Sequence, residues 1–181
     1  PNKVAELFDE LLYGDQPAGW PVGGKKEIIR KLDRDDFVKY RGAHYVSGAT
    51  AVILAGNFAE KEAIQKLEKA FKDMPSGKKE SKLKTVEKQA QPKVLLFNKN
   101  VDQTHLVLGC RAFSVFDDRR FALDVLADAL GGGMSSRLFQ TVREKLGAAY
   151  YVKAATSYQT DCGLIYIKAG IDHLKIEVVL K

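Results

Sequence analysis

LGGGMSSRLFQTVREKLGAAYYVKAATSYQTDCGLIYIKAGID, residues 130–172, carries the densest information about the fold. Gly131, Gly132 and Gly133 must end the helix before them, because residues without a β-carbon carry a large entropy cost in a helix interior. Ser135 or Ser136 is placed to cap a second helix holding Leu138, Phe139 and Val142, which Gly147 closes. Ala149 to Tyr158 and Leu164 to Ile171 alternate as strands around a turn at Thr160, Asp161, Cys162 and Gly163. Helix, glycine loop, helix and hairpin in succession point to an α+β fold.

Downstream, Asp172 starts a helix that runs toward Lys181. Upstream, Asp117 to Leu130 reads as a helix, while Val94 to Phe97 and Thr104 to Phe113 read as strands joined by a turn at Asn98 to Asp102. The C-terminal portion, residues 93–181, is therefore expected as β-β-α-α-β-β-α. In the N-terminal portion, residues 1–74, Val4, Leu7, Phe8, Leu11 and Leu12 fall on one helical face, and Pro1 suits the first turn. A glycine- and proline-rich loop with Trp20 embedded in it follows, and the commoner role of a lone aromatic there is to anchor the loop. Asp33 is a plausible N-cap for a helix through Phe37, Tyr40 and His44 that ends near Gly48. Thr50 to Ala55 reads as a strand covered on both faces, and Ala63, Ile64, Leu67, Ala70 and Phe71 make a further amphipathic helix. This portion is expected as α-α-β-α.

Between the portions, residues 75–92 hold five lysines against Glu80 and Glu87, and no aromatic residue. Unpaired bases need stacking platforms, so this stretch is expected to be a solvated linker, and the formal charge of +6 does not argue for a nucleic-acid partner. No apolar run approaches the length of a membrane span. The chain opens without an initiator Met, so a mature or excised segment is expected, and no compartment is assigned from its first residues. Cys110 and Cys162 have no metal-type spacing. His44, His105 and His173 are far apart in the sequence, and none lies in an H-x-x-E-H or H-E-x-x-H arrangement. Only His173 has a carboxylate at i+4, Glu177, and a surface helix start accounts for it. No zinc ligand is assigned.

The 130–172 stretch closely resembles the second-domain segment of the pitrilysin (insulinase, processing-peptidase) family of zinc metallopeptidases. A Gly-rich loop, an SSRLF helix start, a VRE-x-x-G turn and a Y-x-V strand occur there in the same order. ELFDELLYGDQPAGWPVGGKKE resembles the same family's first domain just after its last zinc ligand. VILAGNF with its following helix resembles the closing unit of that domain, and QTHLVLGCRAF an early strand of the second. The resemblance implies an α+β metalloenzyme fold with a mixed sheet packed against helices. Residues 1–74 would complete a first peptidase-like domain and residues 93–181 would open a second.

It further implies that zinc belongs to the parent protein, with ligands preceding Pro1, and that Arg143 and Tyr150 match the family's substrate-side arginine and tyrosine. A tyrosine hydroxyl can hydrogen-bond a scissile carbonyl as it gains charge, and an arginine can orient peptide or tyrosine. From its residues alone, Arg143 could equally cover Phe139 with its stem, and Tyr150, on a face with Val152 and Ala154, could be a core tyrosine; Tyr151 lies on the other face. Gly131, Gly132 and Gly133 resemble the loop that touches substrate in processing peptidases, or simply end a helix. The implied substrate is a peptide or unfolded polypeptide. The implied alternative is a non-catalytic subunit or binding module paired with a paralogous, homo-oligomeric or hetero-oligomeric partner. The two portions, late and early pieces of homologous domains, could pack as one permuted pseudo-domain with Thr50 to Ala55 in its sheet.

Overall fold

The computed structural model describes residues 2–181, and the expected role of Pro1 lies outside them. The chain divides into two compact units, Pro1–Val22 with Lys84–Lys181, and Gly23–Leu83.

The first unit is built on a three-stranded antiparallel sheet in the order β1-β3-β2, with β1 at Thr104–Ala112, β2 at Ala149–Tyr158 and β3 at Gly163–Ile171. The alternation of side chains along β3 divides its residues between two cores. On one face, Leu164 and Tyr166 pack with Cys162 against α1 (Asn2–Tyr13), which presents Phe8, Leu12 and Tyr13. On the other face, Ile167, Ala169 and Ile171 pack with Val152, Leu106, Leu138, Phe139 and Val179. Phe8 and Leu12 of the apolar stripe read for the first helix thus pack in the cluster that includes β3.

Of the regular elements expected before residue 75, α1 belongs to this unit, and a 3-10 turn at Pro17–Gly19 forms within the stretch expected as an irregular loop. Arg111 on β1 ties α1 down: its Nη2 donates to the Leu12 carbonyl at 2.5 Å, and its guanidinium lies 5.4 Å from the Tyr13 ring centroid. A cation beside the last carbonyls of a helix also complements the helix dipole. Trp20 anchors its loop by donating from Nε1 to Asp15 Oδ1 at 2.8 Å.

α5 (Arg120–Gly131) lies against β2. At its end Gly131 is buried beside Ala154: a β-carbon there would come within 2.9 Å of the Ala154 β-carbon and collide with its backbone nitrogen. After the glycines, Ser136 closes the loop and does not cap a helix N–H, since its hydroxyl donates to the Gly133 carbonyl at 2.6 Å. The next helix is wound as a π-helix, Phe139–Lys145. Asp172 caps a 3-10 turn at His173–Lys175 through the Leu174 N–H, and α6 (Ile176–Val179) follows, so the expected helix is interrupted.

The linker is not wholly solvated. Val86 is held by the Gln16 amide in both directions, its N–H donating to Oε1 at 2.8 Å and its carbonyl accepting from Nε2 at 3.0 Å. The Thr85 N–H donates to Asp161 Oδ2 at 2.8 Å, and Arg111 Nη1 reaches the Val86 carbonyl at 3.3 Å. A side-chain amide offers the donor and acceptor of a strand neighbour, so composition alone could not show that this polar stretch has a partner.

In the second unit, α3 (Arg34–His44) starts with the expected cap, and Asp33 and Asp36 form a reciprocal capping box. α2 (Lys26–Ile29) precedes it, and α4 (Glu60–Phe71) is the expected amphipathic helix. Val46 is its buried apolar residue, beside a short parallel bridge from Gly48 to Lys78. The strand expected at Thr50 to Ala55 is not formed and joins no sheet, and Val94 to Phe97 in the first unit is likewise irregular. Both runs have β propensity, but a strand exists only where its backbone groups find a partner ladder, and among the described residues neither run has one.

Candidate active-site residues

Arg143 and Tyr150 flank a tightly wound connection. The π-helix ends with the Leu146 N–H donating to the Thr141 carbonyl at 3.0 Å, and the Ala148 N–H then reaches the Val142 carbonyl at 2.9 Å. Gly147 takes a positive φ of 53°, which reverses the chain where a β-carbon would be strained. Lys175 Nζ donates to the freed carbonyls of Leu146 at 3.3 Å and Gly147 at 3.0 Å, and the Asp172 N–H donates to the Ala148 carbonyl at 3.1 Å. The start of β2 is thereby fixed by two residues that the sequence reading did not connect with it. A lysine three residues beyond a capping aspartate was the visible signal, but its partners lie nearly thirty residues upstream.

β2 then departs from ladder geometry. Ala149 pairs with Ile171 and Tyr151 with Gly170, leaving Tyr150 as an extra residue without a partner on β3. A bulge of this kind turns a side chain off its alternation. Tyr150 is accordingly 67% exposed, whereas Val152 and Ala154 are 8% and 3% exposed. The reading of Tyr150 as a core residue on their face is corrected by this insertion, which strict alternation cannot anticipate. Arg143 is exposed, with its guanidinium 4.8 Å from the centroid of the Phe139 ring. The stem-covering reading and a cation–π contact describe the same placement. Neither the Arg143 guanidinium nor the Tyr150 hydroxyl has a hydrogen-bond partner among the described residues, and no hydrogen bond joins them.

The three glycines are unlike one another. Gly131 is buried against β2, Gly132 is exposed but lies close to Asp128 one turn earlier, and Gly133 is exposed with open space where a β-carbon would stand.

Tyr151 crosses the sheet. Its hydroxyl lies 3.1 Å from His105 Nδ1 on β1, and burial pushes its phenol above the ordinary tyrosine value. Burial lowers the His105 pKa, and the nearby positive charge of Lys168 acts in the same direction. His173 is committed elsewhere, with Nε2 2.9 Å from the Val101 carbonyl and Nδ1 2.7 Å from the Thr104 hydroxyl. A carbonyl only accepts, so Nε2 carries a proton, and in the neutral ring Nδ1 accepts from Thr104. His44 lies 3.8 Å from Glu80. Among the described residues no group of three or more His, Cys, Asp or Glu side chains could hold a metal ion, so they do not fit a zinc centre. No described helix is long and apolar enough to cross a membrane.

Comparison with known proteins places this geometry. The chain is 36% identical over 179 residues to an uncharacterized zinc protease of Rickettsia bellii, covering 97% of this chain and 42% of that protein. It is 35% identical over 184 residues to an uncharacterized zinc protease of Streptomyces coelicolor, covering 98% of this chain and 40% of the relative. The chain thus spans about two fifths of the length of these curated relatives. A peptidase M16 inactive domain from Pseudomonas fluorescens superposes with a TM-score of 0.76 at 22% identity, over 97% of this chain and 43% of that one, and shares the α+β fold. Residues 31–181 match the family model described as the peptidase M16 inactive domain, and the chain belongs to that M16 family.

Proposed function

We propose that this chain supplies the substrate-side half of a zinc metalloendopeptidase acting on peptides or unfolded polypeptides, with the metal held by residues outside it. In this reading residues 1–74 complete one peptidase-like domain and residues 93–181 open the next, with the lysine-rich stretch between them. The observation that supports it most is the bulge at Tyr150, which holds a tyrosine hydroxyl clear of the sheet while its neighbours are paired or buried. The hydroxyl can donate to a scissile carbonyl oxygen as negative charge develops, and Arg143 can orient the peptide through its fork of donors. The exposed Gly133 can admit substrate backbone, while Gly131 sets the packing of α5 on β2 behind it.

The test is made in the longer protein that carries this chain. Tyr150→Phe lowers kcat/KM on an unstructured peptide by about 10²–10³-fold, the usual loss for one oxyanion donor. Arg143→Ala raises KM or lowers kcat according to whether it binds the ground state or the transition state. Parental kcat/KM in both variants would remove the proposed roles.

A second reading has its own support. The family model is described as an inactive domain, and the described residues contain no metal cluster. A non-catalytic subunit that lends these side chains to a paralogous partner would be inactive alone and would raise that partner's activity on mixing.

A further inference from the structure

His105, Gly170 and Tyr151 lie in one row across the sheet. In the ladder His105 pairs with Gly170 from one side, and Tyr151 pairs with Gly170 from the other. The Tyr151 ring reaches over the bare Cα of Gly170 toward His105, with ring centroids 6.2 Å apart and planes 26° from parallel. A β-carbon at residue 170 would stand 2.5 Å from Tyr151 Cε1 and would also collide with Gln103 Oε1. Only glycine leaves this passage open.

Tyr150 and Tyr151 have the same side chain, and two registers differ only in which of them is extra. If Tyr150 paired with Gly170 and Tyr151 bulged, Ala149 with Ile171 and Val152 with Ala169 would keep their present partners. Intrinsic propensity cannot choose between these registers. The contacts of Ala148 with Val142 and Asp172 set where the chain enters the strand. Either tyrosine could contact His105 from the row, so the hydroxyl contact holds whichever one enters, here Tyr151, and leaves the other as the bulge.

We propose that His105 clamps one member of the adjacent Tyr150–Tyr151 pair over Gly170, at present Tyr151, and so maintains a bulge that leaves Tyr150 outside the row, which makes His105 a positioning residue for the Tyr150 hydroxyl. The consequence of the clamp rests on the role proposed above for Tyr150, but its existence does not.

Nitration of the folded chain with tetranitromethane tests it, because both tyrosines lie in the tryptic peptide Leu146–Lys153 and fragment masses separate them. Wild type should be nitrated at Tyr150 in several-fold excess over Tyr151, because Tyr150 is exposed whereas Tyr151 is part-buried and in contact with His105. In His105→Leu the excess falls, because Tyr151 loses its partner and reacts faster while Tyr150 stays exposed, and in His105→Gln, which restores a polar partner of similar size, most of it returns. If His105→Leu does not fold, Tyr151→Phe decides: only Tyr150 can then bond His105, so it moves into the row and its nitration slows several-fold. Equal nitration of the two tyrosines in folded wild type, an unchanged ratio in folded His105→Leu, or unchanged Tyr150 nitration in Tyr151→Phe would overturn the clamp. Because no peptidase assay enters, loss of the catalytic reading of Tyr150 leaves this result standing, and loss of the clamp leaves that reading to its own test.

Discussion

The hydroxyl of Tyr158, at the end of β2, donates to Oδ1 of Asp124 on α5 at 2.6 Å, and the Thr156 hydroxyl donates to the same oxygen at 2.7 Å. Two donors from one strand converge on one carboxylate oxygen of the helix that covers it, and Tyr158 also reaches the Arg120 carbonyl at 3.0 Å.

The hydrogen bonds from Tyr158 and Thr156 hold the Asp124 carboxyl below its ordinary value of 3.8. A depressed folded pKa contributes stability that is complete above the unfolded value and is lost as pH falls through the folded one. Asp124→Asn should therefore flatten the acid limb of the stability curve below about pH 4 and leave the slope near neutrality unchanged. Urea melts of both proteins across pH 2.5–7 check this, and parallel acid limbs would exclude the contribution.

Gly170→Ala should destabilise the first unit by about 1–3 kcal/mol, the usual cost of forcing a methyl group into a filled site. The glycine does not occupy the left-handed region, so the cost would come from displacing Tyr151 and Gln103 and not from backbone strain. The midpoint of urea denaturation with an unchanged m-value measures it.

Gln16→Ala should release the strap at Val86, leaving the Val86 N–H without its partner and its carbonyl with Arg111. The change in global stability is small, about 1 kcal/mol, because the strap is exposed. Limited trypsinolysis at Lys84 and Lys88 should accelerate several-fold, since cleavage tracks local opening. Unchanged cleavage at both sites would mean that other contacts hold the strap.

Much of this molecule was legible in its residues, where a feature depends on local chemistry. The stripe of α1, the Asp33 cap, the glycine stop after α5 and the hairpin of β2 and β3 arise from periodicity, capping and turn preference within a few positions. Arg143 and Tyr150 were singled out by motif order, and membership of the M16 family follows from the sequence match over residues 31–181. Other features required contacts distant in sequence. Thr50 to Ala55 and Val94 to Phe97 have strand composition without a ladder, because hydrogen-bond partners come from elsewhere in the chain. Tyr150 is exposed because one residue is inserted opposite Ile171 and Gly170, and alternation read along β2 alone cannot register an insertion defined by its neighbour. His105 gave no sign of a role until the sheet put it across Gly170 from Tyr151, 46 residues away. Composition and motif order thus determined which elements form and which family this is, while pairing in three dimensions decided which tyrosine leaves the sheet, because register is a property of two strands.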